Sequence, residues 1–499
     1  MILVGGLMLA AGTELPVEPV SIGSTPQFLI DDYLVDNRFA LKYARESPEM
    51  VLRQFHPPRK HSGNPLLRWD GIAAAGKPQG GPSYVSVLRD PDLGLFRMWY
   101  QDNIPASDSK PGTRLFTTAI GYADSLDGIK WRQPRLGLVE VDGSRENNLV
   151  WRGLEGDRAA APQILDIPPR FRRGFRYVMQ YHGRGGMHLM GSHDGIEWDR
   201  RSHTTIATMH SDTSNCIVFD PRSAEFSLFC RAKHIYRTRR GDVLDVGASR
   251  RIAMMRSREL WTQWGDEPRN ILIPDELDNR ESFNFFYGMS ASYHAGIFWG
   301  FVQSFKWNTD IHVELAWSRS GTRFDRLLTR PRLIPLGPEE AWDSGLIFAG
   351  PGWIEVEDEW WIYYTGWDGP HGRRENEERG RWRQGGIGLV KIRKEGFVSL
   401  RGPQHGGVVV TRKLLWPGGE LRLNADAHSG ELKVRVSDAS RQVLPGLDYS
   451  DCVSFTGDSV SHQMRWKDRR LSLLAGQVIR LEIYLQNANL YTFRAEGSD

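Results

Sequence analysis

The sequence predicts an all-β chain, a five-bladed β-propeller followed by a C-terminal β-sandwich, and three observations carry that prediction. The composition is rich in aromatic residues, glycine and proline; a turn motif recurs at near-constant spacing; and the texture of strands and turns changes near Gly396. Aromatic residues make up 11% of the chain, with 18 Trp, 52 Gly and 27 Pro, a mixture that suits short strands joined by many turns better than long helices. At 499 residues the chain is too long for one ordinary core. The expected division is a leader over 1–22, the propeller over 23–397 and the sandwich over 398–499.

The repeat is the strongest signal, because a regular period of blade size marks a propeller. Ser125-Leu126-Asp127-Gly128-Ile129-Lys130-Trp131 recurs as Ser192-His193-Asp194-Gly195-Ile196-Glu197-Trp198. Degenerate copies follow at Ser257-Arg258-Glu259-Leu260-Trp261 and Ser318-Arg319-Ser320-Gly321-Thr322-Arg323-Phe324, so the four serines stand 67, 65 and 61 residues apart. A fifth, poorer copy begins near Leu389. Each copy is preceded by an aromatic strand, such as Phe96–Tyr100 or Trp360–Tyr364, and that strand by another, such as Tyr84–Leu88 or Cys216–Phe219. Strand, turn, strand, loop, strand is the grammar of an antiparallel blade. In the turn itself Asp accepts backbone hydrogen bonds, Gly takes positive φ, and the following Trp or Phe packs between blades, so these residues are scaffold. From about Gly396, runs such as Leu432–Val436 and Val478–Leu485 alternate with polar turns at sandwich-like spacing.

Other features exclude function classes. Lys and Arg number 64 against 61 Asp and Glu, too balanced for a nucleic-acid or membrane surface. Three cysteines, Cys216, Cys230 and Cys452, exclude a disulfide scaffold and lack metal-type spacing. The apolar run Met1–Gly12 reads as a signal peptide, which implies a secreted or periplasmic protein. No later run is long enough to insert in a membrane, and a monomer is expected. The sequence contains no Gly-x-Ser-x-Gly elbow, His-Glu-x-x-His pair, phosphate loop or Rossmann fingerprint.

The blade grammar resembles that of the five-bladed propeller glycosidases, the clan that includes invertases, levansucrases and arabinan- or xylan-trimming enzymes. Arg89-Asp90-Pro91 is similar to an invertase motif. It lies in the first blade rather than the second, at a turn, and the invertase nucleophile and acid motifs are absent. A closer resemblance is to a group of secreted, glycosidase-like bacterial proteins of planctomycete type. Phe28–Val35, Met98-Trp99-Tyr100, Asn147–Val150, Glu314–Ser318, Gly396–Leu400 and Ala488–Phe493 carry it across nearly the whole chain. The resemblance implies a carbohydrate substrate and glycosidic-bond hydrolysis, with no cofactor beyond an admissible structural Ca²⁺ on the axis.

Such chemistry uses two carboxyls, one a general acid and one a base or nucleophile, and propellers place them where the innermost strands converge. Asp212, in His210-Ser211-Asp212-Thr213-Ser214-Asn215 ahead of the third blade, is the leading acid; a turn-capping role is an equal alternative. Glu281, ahead of the fourth blade, is a second candidate beside Asn284 and Phe285, although a solvated loop carboxylate is the commoner fate. Asp343, ahead of the fifth, is the third. His210, Trp69, Asp70, Asn284, Phe285, Trp367 and His371 are candidates for substrate binding, with a structural histidine the alternative for His371. A non-catalytic sugar-binding protein would use the same aromatics. A polysaccharide lyase would instead need a His or Tyr base beside arginines.

Overall fold

The computed structural model describes residues 16–41, 50–68, 81–105, 116–154, 158–209, 211–232, 235–237, 243–245, 250–265, 267–278, 284–379 and 383–496. The all-β prediction holds: the six-residue Arg373–Glu378 is the only α-helix among the described residues. The chain divides into two compact units, one of residues 58–356 and 361–391, the other of residues up to 57, 357–360 and 392–499.

In the larger unit the sequence repeats become antiparallel sheets. The first pairs Ser83–Asp90, Leu95–Pro105, Phe116–Ser125 and Leu149–Trp151 in chain order. The second pairs Ala159–Ile164, Tyr177–Gly183, Gly186–Ser192 and Asp199–Ala207, and the third Cys216–Asp220, Glu225–Ala232, Arg251–Ser257 and Arg269–Leu272. The fourth repeat (Asn284–His294, Ile297–Lys306, Ile311–Ser318) and the fifth (Leu346–Ala349, Glu359–Trp367, Gly385–Arg393) share one larger sheet, joined through the parallel pairing of Ile311 with Leu346. Arg59–Lys60 and Leu67–Arg68 add antiparallel to Gly385–Arg393. Chain from ahead of the first repeat therefore completes the sheet of the last.

The recurrent turn does the local work its residues predict. Asp127 Oδ1 accepts from the amides of Ile129 (2.8 Å) and Lys130 (2.7 Å), and Asp194 Oδ1 from those of Ile196 and Glu197 (both 2.8 Å). Gly128 and Gly195 sit at φ of 71° and 74°, a region in which a side chain is strained. Each turn also docks on the preceding repeat. Trp99 Nε1 donates to the Gly195 carbonyl (2.8 Å), and the Tyr363 hydroxyl to the Gly128 carbonyl (2.9 Å).

Packing follows the same order. Apolar clusters join the first repeat to the second around Trp99 and Tyr181, the second to the third around Leu189 and Phe226, and the third to the fourth around Phe229 and Phe298. Two more join the fourth to the fifth around Tyr287 and Phe348, and the fifth back to the first around Tyr363 and Met98. Burial of one such aromatic contributes about 2–3 kcal/mol, so the succession of clusters, closing on itself, holds the repeats together. The fourth repeat also buries a charge cluster: Arg326 donates to Asp278 (2.6 and 2.7 Å) and Glu314 (3.1 Å), and Arg330 pairs with Asp275.

The smaller unit is a two-sheet sandwich around one core that includes Trp416, Trp466 and Phe493. Its boundary differs from the sequence expectation, which gave residues 1–22 to a leader and 23–397 to the propeller: Val20 and Ile22 lie in the sandwich core, and the described residues up to 57 and from 392 on belong to this unit. Val20–Ser21 and Val35–Ala40 join one sheet, beside Leu414–Leu415 and Gly407–Thr411, and Gln27–Phe28 and Leu52–Phe55 the other, beside Asn489–Glu496 and Val398–Arg401. The cause is apolar: Leu29, Leu34 and Val51 are fully buried in the sandwich core, and strand partners 343 to 466 residues away in sequence leave no trace in local pattern.

Candidate functional site

The starts of the first strands converge on one cavity of about 270 Å³. Ser83 and Tyr84 come from the first repeat, Arg158, Ala160 and Ala161 from the second, Asp212 and Thr213 from the third, Tyr287 from the fourth, and Leu346 and Phe348 from the fifth. Middle strands add Gln101, His182 and Trp367, and the segment after Trp367 adds His371 and Arg383. The volume lies near the small end for ligand pockets, which run from about 300 Å³ upward, and matches a single sugar ring better than a length of polymer.

Asp212 is presented by a locked loop. Ser211 Oγ donates to Asn215 Oδ1 (2.6 Å), and Asn215 Nδ2 donates to the carbonyls of Ser211 (2.7 Å) and Thr213 (2.9 Å). Ser211, Thr213 and Asn215 are buried, whereas the Asp212 side chain keeps 34% of its exposure. The carboxylate and the adjacent Thr213 both line the cavity. Asp212 is ion-paired with Arg231, whose side chain is buried at 6% exposure and whose backbone N–H donates to Ser211 Oγ (3.0 Å).

Opposite stands a histidine and tyrosine pair. His371 Nε2 lies 3.3 Å from the Tyr287 hydroxyl, and its ring packs edge-on against Tyr287 and Phe305. Burial, with Arg383 and Arg250 beside it, pushes the imidazole down to about 3, so it is neutral in ordinary buffers. Burial, with Tyr287 and Asp212 near, raises the Tyr84 hydroxyl well above the usual phenol range. Arg250 lies 4.5 Å from the centre of the Tyr287 ring and 5.1 Å from that of Phe305. Arg383 donates to the carbonyls of Pro370 (2.9 Å) and His371 (2.8 Å) and stacks on Trp367. Beside these rings Phe285 and Phe305 support Trp307, a tryptophan left 43% exposed.

Of the residues expected from sequence, the cavity brings together Asp212, Trp367 and His371. Phe285 packs beside Trp307 rather than lining it. Asp343 is a correction: it is 2% exposed and does not line the cavity, and its Oδ2 accepts from Lys60 Nζ (2.6 Å) and the Tyr364 hydroxyl (2.8 Å). It serves the packing of the fifth repeat, in a pair whose lysine lies 283 residues away in sequence. Trp69, Asp70, His210 and Glu281 lie outside the described residues, and so does the side chain of Asn284, whose backbone pairs with Lys306. Arg158, Tyr84, Tyr287, Arg250 and Arg383 were missed. Arginine scattered along a chain with 64 basic residues carries no local signal.

A wider cavity of about 1060 Å³ lies at the other ends of the first strands. Its Asp90 is spent on structure: Oδ1 accepts from the amides of Asp92 (3.1 Å) and Leu93 (3.2 Å), and Arg176 and the Tyr177 hydroxyl bind the same carboxylate. Arg89-Asp90-Pro91 is therefore a turn, as its position suggests. Among the described residues no group of three or more His, Cys, Asp or Glu could hold a metal ion.

No family model matches the chain, and no curated protein matches it. Solved structures of carbohydrate-active enzymes are similar at low identity. One is an N-acetylgalactosamine deacetylase from F. plautii in complex with blood group B trisaccharide, 15% identical over 69% of this chain and 96% of that one, with a TM-score of 0.45. Another is a family 43 arabinoxylan arabinofuranohydrolase from Bacillus subtilis in complex with cellotetraose, 12% identical over 88% of this chain and 99% of that one, with a TM-score of 0.39. A third comes from the GH130 family of mannoside phosphorylases, described as containing glycoside hydrolases that target β-1,2 mannosidic linkages in Candida mannan, 14% identical over 68% and 94%, with a TM-score of 0.43.

Proposed function

We propose that this chain is a glycoside hydrolase built on a five-bladed propeller, that it acts outside the cytoplasm, and that it removes a sugar unit from a chain end in the axial cavity. The observation that carries the reading is the placement of Asp212: a half-exposed carboxylate, fixed by the Ser211 and Asn215 bonds, in a one-ring cavity at the convergence of the first strands. A small cavity with a carboxylate at its wall suits protonation of, or attack at, a terminal glycosidic bond. The second carboxyl of the pair is assigned to Glu281, which precedes the strand that carries Tyr287.

A second reading, β-elimination, is favoured by the His371 and Tyr287 pair. The neutral imidazole takes the proton α to a uronate carboxylate, the bond to the leaving oxygen breaks, a carbon–carbon double bond forms, and a tyrosine hydroxyl returns a proton to that oxygen. Product analysis of the purified protein on plant, algal and bacterial polysaccharides separates the two. Hydrolysis releases a saturated sugar with a new reducing end, elimination an unsaturated sugar with ultraviolet absorbance. In the first case both Asp212→Asn and Glu281→Gln abolish release with the fold intact by circular dichroism. No release from any polysaccharide, with retention on one of them, would make the chain a sugar-binding protein.

A further inference from the structure

We propose that the sugar unit held in this cavity is acidic, carrying a carboxylate or a sulfate ester, and that Arg158 and Arg383 hold its anionic group. The inference rests on the reading of the cavity as a saccharide site and names the class of saccharide. The argument is one of charge balance. Asp212 is the one carboxylate among the described lining residues, and it is ion-paired with Arg231. Arg158 and Arg383 line the same space, and Arg250 stands behind it on the face of Tyr287. No described carboxylate forms an ion pair with Arg158, Arg250 or Arg383.

Arg158, Arg250 and Arg383 are partly buried, where an anion is screened less than at the open surface. Arg383 spends two bonds on the carbonyls of Pro370 and His371, which aim the guanidinium without neutralising it. Arg250 keeps Nε and one terminal nitrogen buried with no hydrogen-bond partner. His371, held down first by its own burial, also has Arg383 and Arg250 beside it. Guanidinium recognises carboxylate and sulfate alike through a fork of parallel donors, so geometry selects the charge and leaves its source to experiment. Among the described residues a neutral sugar leaves Arg158 and Arg383 without an anionic partner.

The test compares matched pairs on the full chain by calorimetry and by turnover: oligogalacturonate and glucuronoxylan oligosaccharides against their carboxyl-reduced forms, and carrageenan oligosaccharides against their desulfated forms. The expected result is that one acidic member binds at least about tenfold more tightly than its neutral partner, since a charge-assisted hydrogen bond contributes on the order of tenfold to a hundredfold. That preference shrinks with added salt, and Arg158→Gln and Arg383→Gln each remove most of it. Arg158→Gln disturbs none of the Arg383 backbone bonds and so remains informative if the second variant misfolds. The carboxylate and sulfate arms identify the source of charge. A neutral member bound as well as or better than its acidic partner overturns the inference and leaves the saccharide reading standing. Binding of no member of any pair overturns both.

Discussion

Two charged regions of the larger unit differ in how their charges are answered. In the fourth repeat, Arg326 is 3% exposed and meets Asp278 and Glu314, themselves 2% and 5% exposed, while Arg330 meets Asp275. Arg326 and its hydrogen bonds hold Asp278 ionised against the opposing effect of burial. In the cavity, by contrast, Arg158, Arg250 and Arg383 gather around a single carboxylate already paired with Arg231. The charges of the fourth repeat are matched within the chain, whereas Arg158 and Arg383 line the cavity with no described carboxylate ion-paired to them. Asp343 and Asp212 are both ion-paired, but Asp343 is sealed at 3% side-chain exposure beside Lys60 whereas Asp212 keeps 34% beside Arg231.

Substitutions can break this contrast. The largest expected effect is at the matched cluster, where Arg326→Ala strips the buried Asp278 and Glu314 of the guanidinium that bonds both and lowers stability by about 3–5 kcal/mol, read by denaturant unfolding. Arg158→Gln in the cavity should change stability by less than about 0.5 kcal/mol, the usual range for sites without an internal partner. Equal losses from the two variants would erase the distinction. Next comes Asp212→Asn, expected to lower turnover by a factor of about 10² or more and, because it leaves the buried Arg231 without its carboxylate, to lower thermal stability as well. Gly128→Ala tests the turns that join the repeats: with φ of 71° and a Cβ 2.7 Å from the Tyr363 hydroxyl, it should cost about 1–3 kcal/mol.

Acid titration sharpens the contrast further. His371 is pushed down to about 3 from an ordinary value near 6.5, so between those values the unfolded chain binds a proton that the folded chain refuses. Its contribution to stability is therefore present above pH 6.5 and is lost as pH falls toward 3. His371→Gln should flatten that part of the stability profile, and an unchanged slope would contradict the burial and the cationic neighbours assigned to it. The smallest expected effect is at the rim. Trp307→Ala should raise KM several-fold for oligosaccharides long enough to reach its exposed ring and leave single-sugar binding unchanged.

Much of the fold was legible because its signals are local. The Asp and Gly of each turn act within three residues of themselves, and Trp131, Trp198, Trp261 and Phe324 mark where one repeat meets another. Asp212 was legible as well, since a polar loop directly before an apolar strand must offer some side chain to the strand's open end. What stayed hidden depends on distant partners. Val35–Ala40 read as propeller because nothing near it announces its pairing with Gly407–Thr411, and Asp343 read as a pocket residue because Lys60 comes from far upstream. The arginines of the cavity are contributed by residues 158, 231, 250 and 383, each unremarkable in its own neighbourhood and informative only once gathered.

The central claim is that the axial cavity binds a saccharide and that Asp212 acts on it. The most direct measurement takes the polysaccharide on which the parent protein is most active and follows binding and turnover side by side in the parent and in Asp212→Asn. The account predicts a variant that binds within a few-fold of the parent and has lost nearly all turnover. Turnover at the parent rate by Asp212→Asn, with its fold intact, would contradict it.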